Sequence, residues 1–227
     1  HLGSNTKAFT ARLVSFLVEE DLINWDTKLS DIIPDSWLRR PYYNEITLQM
    51  LLDHKSGVPS LTSGLYIAAL PKFKGSPRAC RAQYVRYMLQ RKPDYMPGET
   101  YNYSNAGYGI ATFMVEEAGG LEWDDLLGQY LKGETYNYCL GFPNECDINQ
   151  PWGHWDQTGV LMALGPDHFY KLPEFLFPAG GLSLPFLSYA DWIQNELISL
   201  TDPNDTKHEM VDWLHYHDDE YSTGWGT

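Results

Sequence analysis

Ser4 and Lys7 stand three residues apart at the head of a helix-like segment, so an amine and a hydroxyl project from one face. A serine nucleophile without a histidine needs such an amine in its neutral form. The free N–H groups of a helix start favour a developing oxyanion and disfavour a nearby ammonium, which suits both partners. This is the only Ser-x-x-Lys in the chain, and on these residues alone a serine N-cap with a solvated lysine is the better explanation. The second group is Pro97-Gly98-Glu99-Thr100-Tyr101-Asn102-Tyr103-Ser104-Asn105, a Pro-Gly turn leading through Tyr-Ser-Asn into an apolar helix. Tyr103 can relay a proton if a lysine perturbs its phenol, and Asn105 offers a donor and an acceptor to a substrate amide. A capped helix start at Ser104 or Asn105 is the competing reading, and Tyr42-Tyr43-Asn44 repeats the bare Tyr-x-Asn pattern.

The elements that must position these groups are mostly helical. Helices are expected over 4–20, 47–52 (capped by Thr47), 78–90, 105–117, 122–130 and 188–199, with a strand over 221–226. Loops rich in Pro and Gly fall at 93–104, 133–159 and 173–186, and the aromatic stretches 136–155 and 168–177 predict an apolar-walled cleft. The longest apolar runs, 159–165 and 108–115, are core-sized and far short of a membrane span.

Taken in order, Ser4-Asn5-Thr6-Lys7, Leu51-Leu52-Asp53-His54-Lys55-Ser56-Gly57-Val58-Pro59 and the 97–108 block resemble the serine β-lactamase-related family. That class C β-lactamase and penicillin-binding superfamily also holds DD-peptidases, D-aminopeptidases and esterases. Gln150-Pro151-Trp152-Gly153-His154, Pro178-Ala179-Gly180-Gly181, Ala190-Asp191-Trp192 and Tyr221-Ser222-Thr223-Gly224-Trp225-Gly226 continue the likeness to the end of the chain. The resemblance implies an α+β, β-lactamase/transpeptidase-like fold, seen here chiefly as its helical lobe. It implies Ser4 as the acylated nucleophile, Lys7 as its base, Tyr103 as proton relay and Asn105 as the substrate-positioning amide. The Ser4 N–H would supply half of an oxyanion hole, and no cofactor is implied. The family's third element, Lys-Thr-Gly or His-x-Gly, is expected after Thr227, and sheet strands are expected before Ser4. Residues 1–227 are therefore expected to be one β-lactamase-related domain truncated on both sides.

The expected function is hydrolysis of an amide or ester through an acyl-enzyme, on a small molecule or peptide. The rival is a non-catalytic relative serving as a binding or scaffold module, or an inactive fragment. Lys+Arg number 16 and Asp+Glu 30, a net charge of −14 that argues against nucleic acid as a partner. The basic stretch Lys72, Lys74, Arg78, Arg81, Arg86, Arg91 and Lys92 is read as a solvated face. His208, Asp212, His215 and His217 resemble a metal-binding cluster in composition only, and no metal is expected. Cys139 and Cys146 can close a short loop, but three unrelated buried thiols, Cys80 included, are the expected state. Family resemblance points to a secreted or periplasmic protein, and oligomeric state is left open.

Overall fold

Helix starts follow their caps. The computed structural model, which describes residues 1–132, 137–165, 168 and 171–226, places Thr47 at the head of a helix with its hydroxyl accepting from Met50 N–H at 3.2 Å. Ser76 caps the next long helix ahead of Pro77, and Ser104 caps another by accepting from Gly107 N–H at 3.0 Å. The helices are α1 Thr6–Glu19, α2 Leu29–Ile32, α3 Leu48–Leu52, α4 Gly64–Ala68, α5 Pro77–Met88 and α6 Asn105–Gly119. They continue as α7 Trp123–Lys132, α8 Pro143–Cys146, α9 Phe177–Gly180, α10 Phe186–Thr201 and α11 His208–Tyr216. Strands are short and antiparallel: β1 Cys139–Leu140 pairs with β4 Leu182–Ser183, β2 His154–Gln157 with β3 Val160–Ala163, and β5 Tyr221–Ser222 with β6 Trp225–Gly226. Helices with small antiparallel sheets make this the α+β class that the resemblance implied.

α1 is central. Phe9, Leu13, Val14 and Leu17 are buried, but so are Thr6, Lys7, Thr10, Arg12 and Ser15 on its other faces. Such a helix must satisfy its polar groups internally, and Arg12 donates to Glu196 of α10 at 2.8 Å. α6 crosses α3 so closely that a Cβ on Gly107 would lie 2.8 Å from the Leu51 carbonyl oxygen. The hairpin β5–β6 lies equally close to α1, where a Cβ on Gly224 would meet Ala8 Cα at 2.8 Å.

Several expectations are corrected. Ser4 is no N-cap: it sits in a 3-10 turn, Gly3–Asn5, and α1 begins at Thr6. The 221–226 strand is two strands turned at Thr223-Gly224, because Gly224 takes a φ of 92°. The apolar run 159–165 is no core segment; it forms half of a hairpin turned at Thr158-Gly159, with Val160 62% and Leu161 71% exposed. Cys139 and Cys146 form a disulfide, their Cα atoms brought to 6.2 Å by the turn between β1 and α8, while Cys80 is free. Within the basic stretch Arg81 is buried and paired with Glu116, whereas Lys72, Lys74, Arg86, Arg91 and Lys92 are exposed. Of the expected loop 133–159, residues 133–136 lie outside the described residues, as do 169–170 of the aromatic stretch 168–177.

Candidate active site

The turn that carries Ser4 is pinned from below. Gly3 enters it with a φ of 54°, and Thr6 Oγ1 donates to the Gly3 carbonyl at 2.7 Å while accepting from Leu182 N–H at 3.1 Å. Leu2 N–H donates to the Leu182 carbonyl at 2.9 Å, so β4 holds both sides of the turn. Ser4 itself is exposed.

Lys7, one turn on, is the reverse. Its side chain is fully buried, and Nζ spends its three donors on Ser4 Oγ at 3.4 Å, Asn105 Oδ1 at 2.8 Å and the Ala179 carbonyl at 2.6 Å. All three acceptors are neutral. The rings of Tyr103 and Tyr108 lie 4.7 and 5.2 Å from Nζ and favour its charge, yet loss of solvent prevails and lowers its pKa from 10.5 to about 7. Near neutral pH the amine is available as a base, with the serine hydroxyl within reach.

Tyr103 moves the other way. Half-buried, its phenol is pushed up by desolvation, with its hydrogen bond to Ser4 opposing. A phenol held protonated can donate a hydrogen bond but does not serve as a base near neutral pH. Asn105 is fixed by Nδ2 donating to the Leu61 carbonyl at 3.1 Å and by its N–H donating to the Ser60 carbonyl at 2.8 Å. All four residues singled out from the sequence thus meet at one place.

Sequence reasoning missed their support. The Ala179 carbonyl belongs to the Pro178-Ala179-Gly180-Gly181 run, which carried no stated role. Asp53 is buried, its Oδ1 accepting from Thr223 N–H at 3.0 Å and Thr223 Oγ1 at 2.5 Å, its Oδ2 2.9 Å from His217 Nε2. That carboxylate ties α3 to the β5–β6 hairpin and absorbs one histidine of the supposed metal cluster. His208 Nδ1 meets the Ser199 carbonyl at 2.9 Å, and His215 stacks on Trp225 with ring centres 3.9 Å apart. No group of three or more His, Cys, Asp or Glu that could hold a metal occurs among the described residues.

One cavity opens beside Ser4, and a second adjoins it. The first, about 340 Å³, is lined by Ser4, Asn105, Phe142, Glu145, Lys171 and Phe177. The other, about 780 Å³, has Tyr138, Phe142, Trp152, His154, Leu164 and Phe186 in its walls. His1, Phe142 and Leu164 border both, so the two adjoin. This is the apolar-walled cleft that the aromatic stretches predict, with a Lys171–Glu145 ion pair at 3.0 Å on its rim.

The family model described as Beta-lactamase matches residues 1–219. The chain belongs to that family. Its members are serine hydrolases, and in this chain Ser4, Lys7, Tyr103 and Asn105 lie together at one place. An unguisins hydrolase of Aspergillus campestris is 30% identical over 128 residues, which cover 53% of this chain and 23% of that protein. Penicillin-binding protein 4* of Bacillus subtilis is 28% identical over 128 residues, 56% of this chain and 26% of its own length. The chain spans about a quarter of the length of these curated relatives. Among solved structures, a D-stereospecific amidohydrolase from Streptomyces sp. superposes with a TM-score of 0.74 at 18% identity, covering 99% of this chain and 69% of that one. That likeness is one of fold, and it extends through essentially the whole chain.

Proposed function

We propose that this Beta-lactamase family chain is a serine hydrolase that opens an amide or ester through an acyl-enzyme on Ser4. The observation that carries the proposal is Lys7: a fully buried amine, its pKa brought to about 7, 3.4 Å from an exposed serine hydroxyl. Lys7 Nζ takes the Ser4 proton as Oγ attacks the substrate carbonyl carbon. The proton then passes from the ammonium by way of the Tyr103 phenol to the leaving nitrogen or oxygen, and the carbon–heteroatom bond breaks. Water then attacks the acyl carbon and its proton passes by way of the Tyr103 phenol to Lys7 Nζ, which returns it to Ser4 Oγ as the acyl–Oγ bond breaks and the acid leaves. Asn105 orients the substrate amide beside Lys7, and the Ser4 N–H is the first oxyanion donor. The adjoining cavities suit a substrate with an apolar group of appreciable size next to the scissile carbonyl.

The test is covalent labelling of the 227-residue chain by a fluorophosphonate and, separately, by a fluorescent penicillin, read by intact mass and peptide mapping. The expected result is one adduct, on Ser4, absent in Ser4→Ala. Because Ser4 is exposed and caps no helix, that variant should lose less than about 1 kcal/mol of stability. A folded chain that neither reagent labels overturns the proposal. Labelling by the phosphonate alone assigns the esterase or amidase branch over penicillin recognition.

A further inference from the structure

His54 has no part in the mechanism above, yet it grips the loop that bears Tyr103 at two points. It follows α3 in a left-handed conformation, φ 61°, with its side chain 1% exposed. Its Nδ1 accepts from Ser104 N–H at 3.0 Å, and its carbonyl accepts from Asn102 N–H at 2.8 Å. These two bonds bracket Tyr103. The imidazole also lies against the phenol ring itself, with centres 4.2 Å apart, and against Tyr221 at 4.5 Å. Ser104, so held, caps α6 through Gly107 N–H at 3.0 Å, and α6 begins with Asn105.

An acceptor at Nδ1 requires the proton on Nε2, so the ring is a neutral imidazole of one fixed tautomer. Protonation would set a second donor against Ser104 N–H and a second cation beside Lys7. Burial first, and the Lys7 charge second, hold the ring neutral by bringing its pKa to about 3. A purely apolar ring of the same size would fill the space but leave Ser104 N–H buried and unpaired.

We infer that His54 is a positioning residue for the proton transfer: through Ser104 and Asn102 it fixes the Tyr103 phenol and the Asn105 amide around the Lys7 amine. The inference rests on the proposed Ser4 mechanism. It predicts that the Nδ1 acceptor, not the ring volume or the backbone conformation, is what the site requires. Asn tolerates a left-handed φ and offers Oδ1 near the position of Nδ1; Gly relaxes the backbone and offers no acceptor.

His54→Asn and His54→Gly would be compared with wild type in single-turnover labelling of Ser4 by a fluorophosphonate across pH 5.5 to 9. The Asn variant should label within about threefold of wild type, and the Gly variant about a hundredfold more slowly. In the Gly variant the midpoint of the acid limb should also rise, because a displaced Tyr103 admits water to Lys7. The groups around that amine are Ser4 on its turn, Asn105, the Tyr103 and Tyr108 rings, the Ala179 carbonyl and His54. A merely structural loss lowers the amount of protein that labels and leaves rate and midpoint unchanged. A Gly variant with the native rate and midpoint, or an Asn variant as slow as Gly, overturns the inference. Wild type that fails to label overturns the Ser4 reading instead, and this inference with it. If neither variant folds, nitrogen NMR of the wild-type imidazole decides: a proton on Nε2 from pH 5 to 8 supports it, one on Nδ1 refutes it.

Discussion

Replacing Lys7 with Met keeps the apolar stem and removes the titrating amine. In the unfolded chain Lys7 holds its proton to about 10.5; in the folded chain burial releases it at about 7. At about 1.36 kcal/mol for each tenfold in proton affinity, that gap opposes folding by about 5 kcal/mol wherever the ammonium must be buried, at pH 7 and below. Between pH 7 and 10.5 the unfolded chain binds a proton that the folded chain does not. Native stability therefore rises with pH in that window, by about 1.4 kcal/mol per pH unit. Lys7→Met lacks this dependence. Its own defect is the loss of donors to the Ala179 carbonyl and Asn105 Oδ1, about 1–3 kcal/mol each at any pH. The offset between the two proteins mixes these effects, but the slope does not. Urea unfolding followed by tryptophan fluorescence at pH 7.5, 8.5 and 9.5 should show wild type gaining about 3 kcal/mol on Lys7→Met across the series. Ser4 labelling of wild type should rise with a midpoint near pH 7 and be lost in the variant. A stability difference that stays level over those two pH units would refute the reasoning, since Lys7 would then titrate as a hydrated lysine.

Three further outcomes follow from the packing. Arg81→Leu strands the buried Glu116 carboxylate and should cost about 3–5 kcal/mol in urea unfolding; a loss under about 1 kcal/mol would show that the pair is dispensable. Reducing Cys139–Cys146 reopens a loop of seven-residue separation, worth about 2.5 kcal/mol in chain entropy. Because that loop carries Phe142 and Glu145 at the cavity, reduction should also weaken saturation by an aromatic ester while leaving the limiting rate of Ser4 labelling nearly unchanged; a fall in that rate alone would contradict this. Gly107→Ala drives a Cβ toward the Leu51 carbonyl oxygen, 2.8 Å away, and must displace the start of α6. Labelling should slow about tenfold as Asn105 moves with it, and a native rate would show that its placement is not critical.

The parts of the site that rest on local spacing were legible in the sequence. Ser4 and Lys7 share a face because they are three residues apart, Thr47 was legible as a helix cap, and Ser104 was one of two cap candidates for α6. The cap assigned to Ser4 failed because Gly3 admits a φ of 54° and a 3-10 turn precedes the helix, a choice no side-chain pattern records. The run 159–165 has core composition but lies on the outer face of a hairpin, since composition does not say which surface a strand finds. The two cysteines fit either oxidation state until β1 and α8 bring them together. Least legible was the burial of Lys7, which depends on Asn105 and Ala179, 98 and 172 residues away in the chain.

That dependence has a consequence for how the site works. The low pKa of Lys7 belongs to no single contact; it arises because the turn at Ser4, the Tyr103 loop and the 178–181 run together exclude water. Residues 53 and 54 join two of the surrounding pieces, His54 gripping the Tyr103 loop and the adjacent Asp53 holding the β5–β6 hairpin through Thr223 and His217. His54 and the half-buried His217, which pairs with Asp53, are tuned oppositely. His54 stays neutral and accepts, whereas burial of His217 is outweighed by Asp53, which raises its affinity for a proton. A raised His217 lends stability that is complete below its unfolded value of 6.5 and fades as pH climbs through the folded one. Lys7 asks for the reverse, since its amine is free only above about 7. The hairpin clamp and the free Lys7 amine therefore draw on opposite ends of the pH scale, and they overlap near neutrality, where Asp53 can still hold Thr223 by two uncharged donors whether or not His217 has lost its proton.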